Sequence, residues 1–445
     1  MNRFAKEVFA LTPACDSIQE AVRIVNVNKA DTMFFPKPSK KKVKPLKTAQ
    51  DFITGGTFWT FDNGLNVIYR QMPTKGTLYY SMVFNCGASD FRDAAPGESA
   101  FYADLFRCAP VGSRSGYDFQ RLHEACGITM NCNVGLYDMS LFGEASSSDL
   151  HLLLRTLLQA MNERGDDPAA YAYAGECSLL SLTEADRDLA ELYNALHPDY
   201  RYTPYRVREG ITPDLARHSG ELFEKAFSRC DDAVLVLIGD RPAADVLRHL
   251  RHFVYSFRTG KGVKPMRTVA FTTVSGTVRR EMVGERGIYM ELSAPMTYTA
   301  DNYFAAGVLE EALTRLLSGY AAKVDVALNP RPSEHIDLRI SAKGDVDEDG
   351  LLSALRLLAK DDAVYESLAD WRTITANRDA AARLYPDYWM KAARTRFTDS
   401  KDIATKSGDK IKAVKAEKLK ELSQALLYGA RAVLTSAPAA DSPVE

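Results

Sequence analysis

Cysteine is scarce. The 445 residues hold seven (Cys15, Cys86, Cys108, Cys126, Cys132, Cys177 and Cys230), an odd set with none after Cys230. That excludes a disulfide framework across the chain and favours a reducing, cytoplasmic compartment. No Cys-x-x-Cys occurs, and Cys126 and Cys132 are too isolated for a zinc knuckle. Long apolar runs are missing too. Even VLVLIG at Val234 falls far short of the roughly 20 residues a membrane helix needs. No signal peptide is visible, because Arg3 and Lys6 are followed by Glu7 and not by an apolar stretch. Neither charge is in excess: 56 Lys and Arg face 58 Asp and Glu, so the bulk electrostatics point to no nucleic acid. Gly-x-Ser-x-Gly, Walker and Rossmann glycine motifs are absent from the sequence.

What is present is globular: 46% hydrophobic and 26% charged residues, enough chain for two domains. Residues 1–53 read as an extension, with one short helix starting near Asp16 and a run from Lys37 to Lys47 of six lysines, two prolines and no acid. Such a run reads as a solvated linker, with contact to an anionic membrane surface as the alternative. From Phe58 strands and helices alternate. Asp62-Asn63-Gly64 suits a hairpin turn, Ser115 a helix N-cap, and Gly127 a helix stop. The same order of strand, strand and helix then recurs after a Gly/Lys-rich segment at 259–264. LLLRTLLQ around Arg155 matches LSALRLLA around Arg356, 201 residues on. The expectation is an α+β chain of two homologous halves, 54–258 and 265–445, each a mostly antiparallel sheet packed against helices.

These residues resemble the pitrilysin or insulinase-like zinc peptidases, which include the mitochondrial processing peptidase subunits. The similarity lies in FDNGLNVIY (Phe61–Tyr69), CGASDFRD (Cys86–Asp93), the spacing of Gly97, Ser115 and Gly127, and the strand Ala233–Asp240. The resemblance implies a clamshell of the two halves. Active members carry His-x-x-Glu-His on the helix after the first glycine, where two imidazoles bind zinc and the Glu takes the proton of the metal-bound water. Aligning Gly97 and Phe101 puts Ala100, Ala103 and Asp104 at those positions. The resemblance therefore implies a vestigial motif, with no metal and no cofactor. A third ligand would fall in Gly175–Asp186, which holds Glu176 and Glu184. The family's substrate-orienting Arg can be laid on Arg315, whereas its Tyr falls near Ala322, out of phase with Tyr320.

Other chemistry-bearing residues read as structural. His249 and His252 have i, i+3 spacing without a third ligand; His123, His197 and His218 are solitary, and His335 belongs to a hairpin. Cys108 is a small core thiol. Two functions remain. In the first, the chain is a non-catalytic, peptide-binding or scaffolding subunit, partner to a peptide, a protein or a related active peptidase. An extended segment would then add to a sheet edge at LYYSMVFNCGAS, where Gly87, Ala88 and Ser89 admit a second backbone. The alternative is a hydrolase with a non-standard or partner-completed site, built from Glu98, Asp104 and a carboxylate in 176–184.

Overall fold

A computed structural model describes residues 42–180, 182–205, 213–228, 231, 233–257 and 269–438. The helix expected near Asp16 and the segment 259–264 lie outside the described residues. Two compact units emerge. The first takes the described residues up to Asp90, Phe101–Ser178 and those within Gly210–Pro265; the second takes Phe91–Ala100, those within Leu179–Glu209 and those from Met266 onward.

The first unit holds a seven-stranded sheet in the order β1 (Lys47–Gln50), β2 (Thr57–Thr60), β3 (Asn66–Gln71), β7 (Ala233–Gly239), β4 (Thr77–Phe84), β6 (Met139–Ser146), β5 (Asn131–Val134). Only β3 and β7 run parallel. The second holds five strands, β10 (Lys323–Asn329), β11 (His335–Lys343), β9 (Gly287–Pro295), β12 (Ala430–Ala437), β8 (Thr277–Val283), with only β8 and β12 parallel. The orders β3-β7-β4-β6-β5 and β8-β12-β9-β11-β10 thus coincide in pairing and direction. Helices Leu150–Asn162 and Glu348–Lys360, which carry Arg155 and Arg356, follow β6 and β11. The sequence repeat is a repeat of architecture.

Local chemistry explains the elements. Gly64 turns the β2–β3 hairpin at φ +86°, and a Cβ there would sit 2.5 Å from that of Asp231. Ser115 accepts from the Asp118 N–H at 3.1 Å and starts Gly116–Ala125. All seven residues of β7 are buried, as a strand between two neighbours requires. The lysine run ends inside the fold: Val43 is buried, its N–H reaches the Arg251 carbonyl at 3.0 Å, and Lys47 opens β1. KTAQ is polar on both faces, so alternation could not announce this strand.

One face of the second sheet is apolar. Met290 and Leu292 of β9 and Ile336, Leu338 and Ile340 of β11 pack with Phe304, Leu309, Leu355 and Leu422 from helices. Leu292→Ala is expected to cost about 2–5 kcal/mol, read as a lower urea midpoint at unchanged slope. Period-two alternation sends Glu291, Ser293, Asp337 and Arg339 to the other face, where all but the half-buried Arg339 are buried.

Candidate functional site

The motif positions come first. Glu98–Phe101 forms a 3-10 turn that leads into helix Tyr102–Cys108, so Ala100 lies in the turn and Ala103 and Asp104 in the first turn of the helix. Two are methyl groups. Asp104 is buried and lies 3.3 Å from Arg107 one turn on, an i, i+3 ion pair. The Glu98 carboxylate accepts from the Ala95 N–H at 2.9 Å and closes its own turn. Glu176 is exposed, and Glu184 opens the helix Glu184–Leu196. Among the described residues no group of three or more His, Cys, Asp or Glu side chains is arranged to hold a metal. Asp104→His alone is expected to bind no zinc, since one imidazole beside two methyl groups lacks the partners that give affinity; stoichiometric zinc by elemental analysis would contradict this.

The peptide edge needs correction. β4 is no edge: it pairs with β7 on one side and β6 on the other. Gly87–Ser89 do admit a second backbone, but it is the chain's own. The N–H groups of Ala88 and Ser89 donate to the carbonyls of Gly135 and Leu136 at 3.0 and 2.9 Å, and a Cβ at Gly87 would meet Gly135 O at 2.5 Å. The strand beside helix Tyr102–Cys108 is β5, the last strand of the sheet. Thr129 N–H bonds Glu144 O and Gly135 N–H bonds Asp138 O in register with the β5–β6 ladder, so alternation turns the backbone groups of Cys132 and Val134 away from β6.

Arg315 stands at the end of helix Ala300–Leu316 and donates to the buried Glu311 at 2.8 Å. His249 stacks on His151, centroids 6.3 Å apart, instead of pairing with His252. His123 is buried with Nδ1 2.8 Å from the Ile128 carbonyl, and His218 with Nε2 2.9 Å from Arg217. Burial pushes the Cys108 thiol up, which suits a core residue and not a nucleophile.

His197, solitary in sequence, and the hairpin His335 are gathered in the second unit. His335 Nε2 lies 3.2 Å from Asp337, and its ring is 5.2 Å from Phe271, which in turn lies 4.3 Å from His197. Arg339 donates from Nε and Nη2 to one oxygen of Glu291, at 3.1 and 3.0 Å, and lies 6.0 Å from the centroid of the Tyr205 ring. Glu291 has no exposed surface, and burial pushes its carboxyl up to about 7 against the pull of Arg339. Burial takes His197 down to about 4. Burial also works against His335, but the Asp337 carboxylate holds its imidazole above the ordinary range.

No family model and no curated protein matches the sequence. Solved structures do. The chain superimposes on the ferredoxin protease FusC, solved with Arabidopsis ferredoxin, with TM-score 0.65 and 12% identity over 91% of this chain and 48% of that one. A peptidase inactive domain from Pseudomonas fluorescens gives TM-score 0.66 and 14% identity, covering 90% of this chain and all (100%) of that domain. Pitrilysin itself gives TM-score 0.62 and 13% identity, over 90% and 47%. The fold is that of pitrilysin. The chain spans about half the length of FusC and of pitrilysin. In this pitrilysin-like chain the grouping of buried Glu291 and Asp337 with half-buried Arg339, beside His335, went unnoticed in sequence because HIDLRI and YMEL read as ordinary half-exposed strands. The signal was a Glu and an Arg on adjacent strands, visible only once their register is known.

Proposed function

We propose that this pitrilysin-like chain binds extended peptide or protein segments without cutting them, as a subunit beside a related, active peptidase. The observation that carries the reading is the packing of β5, a terminal strand with outward-facing backbone groups at Cys132 and Val134, beside the helix that holds Ala103 and Asp104, two of the motif positions. Strand addition draws affinity from main-chain hydrogen bonds and survives loss of catalytic side chains. Support comes from FusC, whose structure holds ferredoxin, and from an inactive domain of the same fold. A fluorescent extended peptide should bind, and the same peptide N-methylated at alternate residues should bind about tenfold more weakly, as loss of one or two backbone bonds implies. Val134→Pro should weaken the parent peptide to a similar degree at unchanged melting temperature. Equal affinity for the methylated and parent peptides would refute strand addition.

A further inference from the structure

The second unit contains a cavity of about 850 Å³ that the reading above does not use. It opens between helix Glu184–Leu196 and the polar face of the sheet, where β9, β10 and β11 supply the floor. Arg339 lines it. We propose that this cavity is a carboxylate-binding site anchored by Arg339, receiving an acidic side chain or the C-terminal carboxylate of a bound peptide; the peptide as carrier rests on the function proposed above.

Arg339 is held as such an anchor must be. Both of its bonds to Glu291 use Nε and Nη2, so Nη1 takes no part in the pair, and 30% of the side chain stays accessible. Glu291 beneath it is wholly buried and Tyr205 lies beside the guanidinium, so the plane cannot swing freely. A guanidinium fixed by a buried carboxylate loses little freedom when it takes a second carboxylate. Burying an ion pair at this place is otherwise a poor source of stability, because desolvation offsets the attraction.

The rest of the lining fits. Lys323 and Arg187 face the cavity, and neither has an acidic partner among the described residues. Of the acids on the wall, Glu285 is paired with Lys343 and Asp188 is hydrogen-bonded to Tyr289. Glu184 stands at the helix start. Asp325 lies opposite Arg339 in the β10–β11 register without forming an ion pair with it, and it is the group a ligand carboxylate would have to oppose. Leu189, Leu192 and Met282 add an apolar wall for the body of the ligand.

The test uses the full chain and four versions of one labelled hexapeptide: a central Glu or Gln, each with a free or amidated C-terminus. The site predicts that at least one charge matters by about tenfold, and the pattern tells side chain from terminus. Arg339→Gln together with Glu291→Gln replaces the ion pair by an amide pair and avoids stranding a buried charge; it should abolish the preference while a melting curve confirms folding. Asp325→Asn should tighten the acidic peptide. Glutarate, followed by calorimetry, separates the two readings. If glutarate binds wild type and not the double variant while no peptide binds, the site stands and the peptide reading falls. If peptides bind with no preference for a carboxylate, or the preference survives in the double variant, the site is overturned and the peptide reading stands.

Discussion

Arg339→Met is expected to make stability fall by up to about 1.4 kcal/mol more than in the wild type for each pH unit above neutrality. Glu291 titrates near 7 in the folded chain against an ordinary 4.5, with burial as the main cause and Arg339 as the chief restraint. Between those values the folded state holds a proton that the unfolded state has released. The stabilisation is therefore complete below about 4.5 and is lost as pH rises to about 7. His197 works the other way: at about 4 when folded, it lets stability rise with pH up to the ordinary imidazole range, and so offsets Glu291 below about 6.5. His335, held above its usual value beside Asp337, adds to the loss just above that range. With methionine at 339 the only cation bonded to Glu291 among the described residues is gone. Its carboxyl must then keep its proton to higher pH, and the loss linked to Glu291 continues where in the wild type it has ended. Urea titrations from about pH 6 to 8.5 check this, and parallel curves for the two proteins would contradict it.

Ala88→Trp is expected to cost about 3 kcal/mol or more, or to prevent folding. Ala88 is 2% exposed, and its N–H and that of Ser89 are tied to the carbonyls of Gly135 and Leu136. An indole there must push the β5–β6 turn away from the end of β4, breaking both bonds and the register beyond them. Gly87→Ala should show the same effect on a smaller scale, since its Cβ would meet the same carbonyls at 2.5 and 2.6 Å. A lower melting temperature is the expected reading. A folded Ala88→Trp protein with normal stability and weakened peptide binding would return these residues to a ligand-facing role.

The parts legible in the sequence were those fixed by neighbours along the chain. Asp62-Asn63-Gly64, the Ser115 cap and Gly127 at φ +70° are local chemistry, and they recur where the residues predict. The repeat was legible because it preserves that chemistry twice. The place of β4 was not, because β7 joins it from about 150 residues later in the chain and inserts between β3 and β4. A hint existed in TLYYSMVF, buried at six of eight positions, which marks a strand with neighbours on both sides and not an edge. The cluster of Glu291 and Arg339 was hidden for a related reason. Alternation tells which side chains leave the apolar core, but not that a helix from residues 184–196 will line the face they reach.

The central claim is that a pitrilysin-like fold with Ala100, Ala103 and Asp104 at the motif positions holds peptide and leaves it whole. One measurement tests it most directly. The full chain is equilibrated with zinc, mixed with a labelled extended peptide, and the bound peptide is recovered and weighed by mass spectrometry. The account predicts saturable binding and intact peptide, unchanged by a chelator; fragments that disappear when the chelator is added would contradict it.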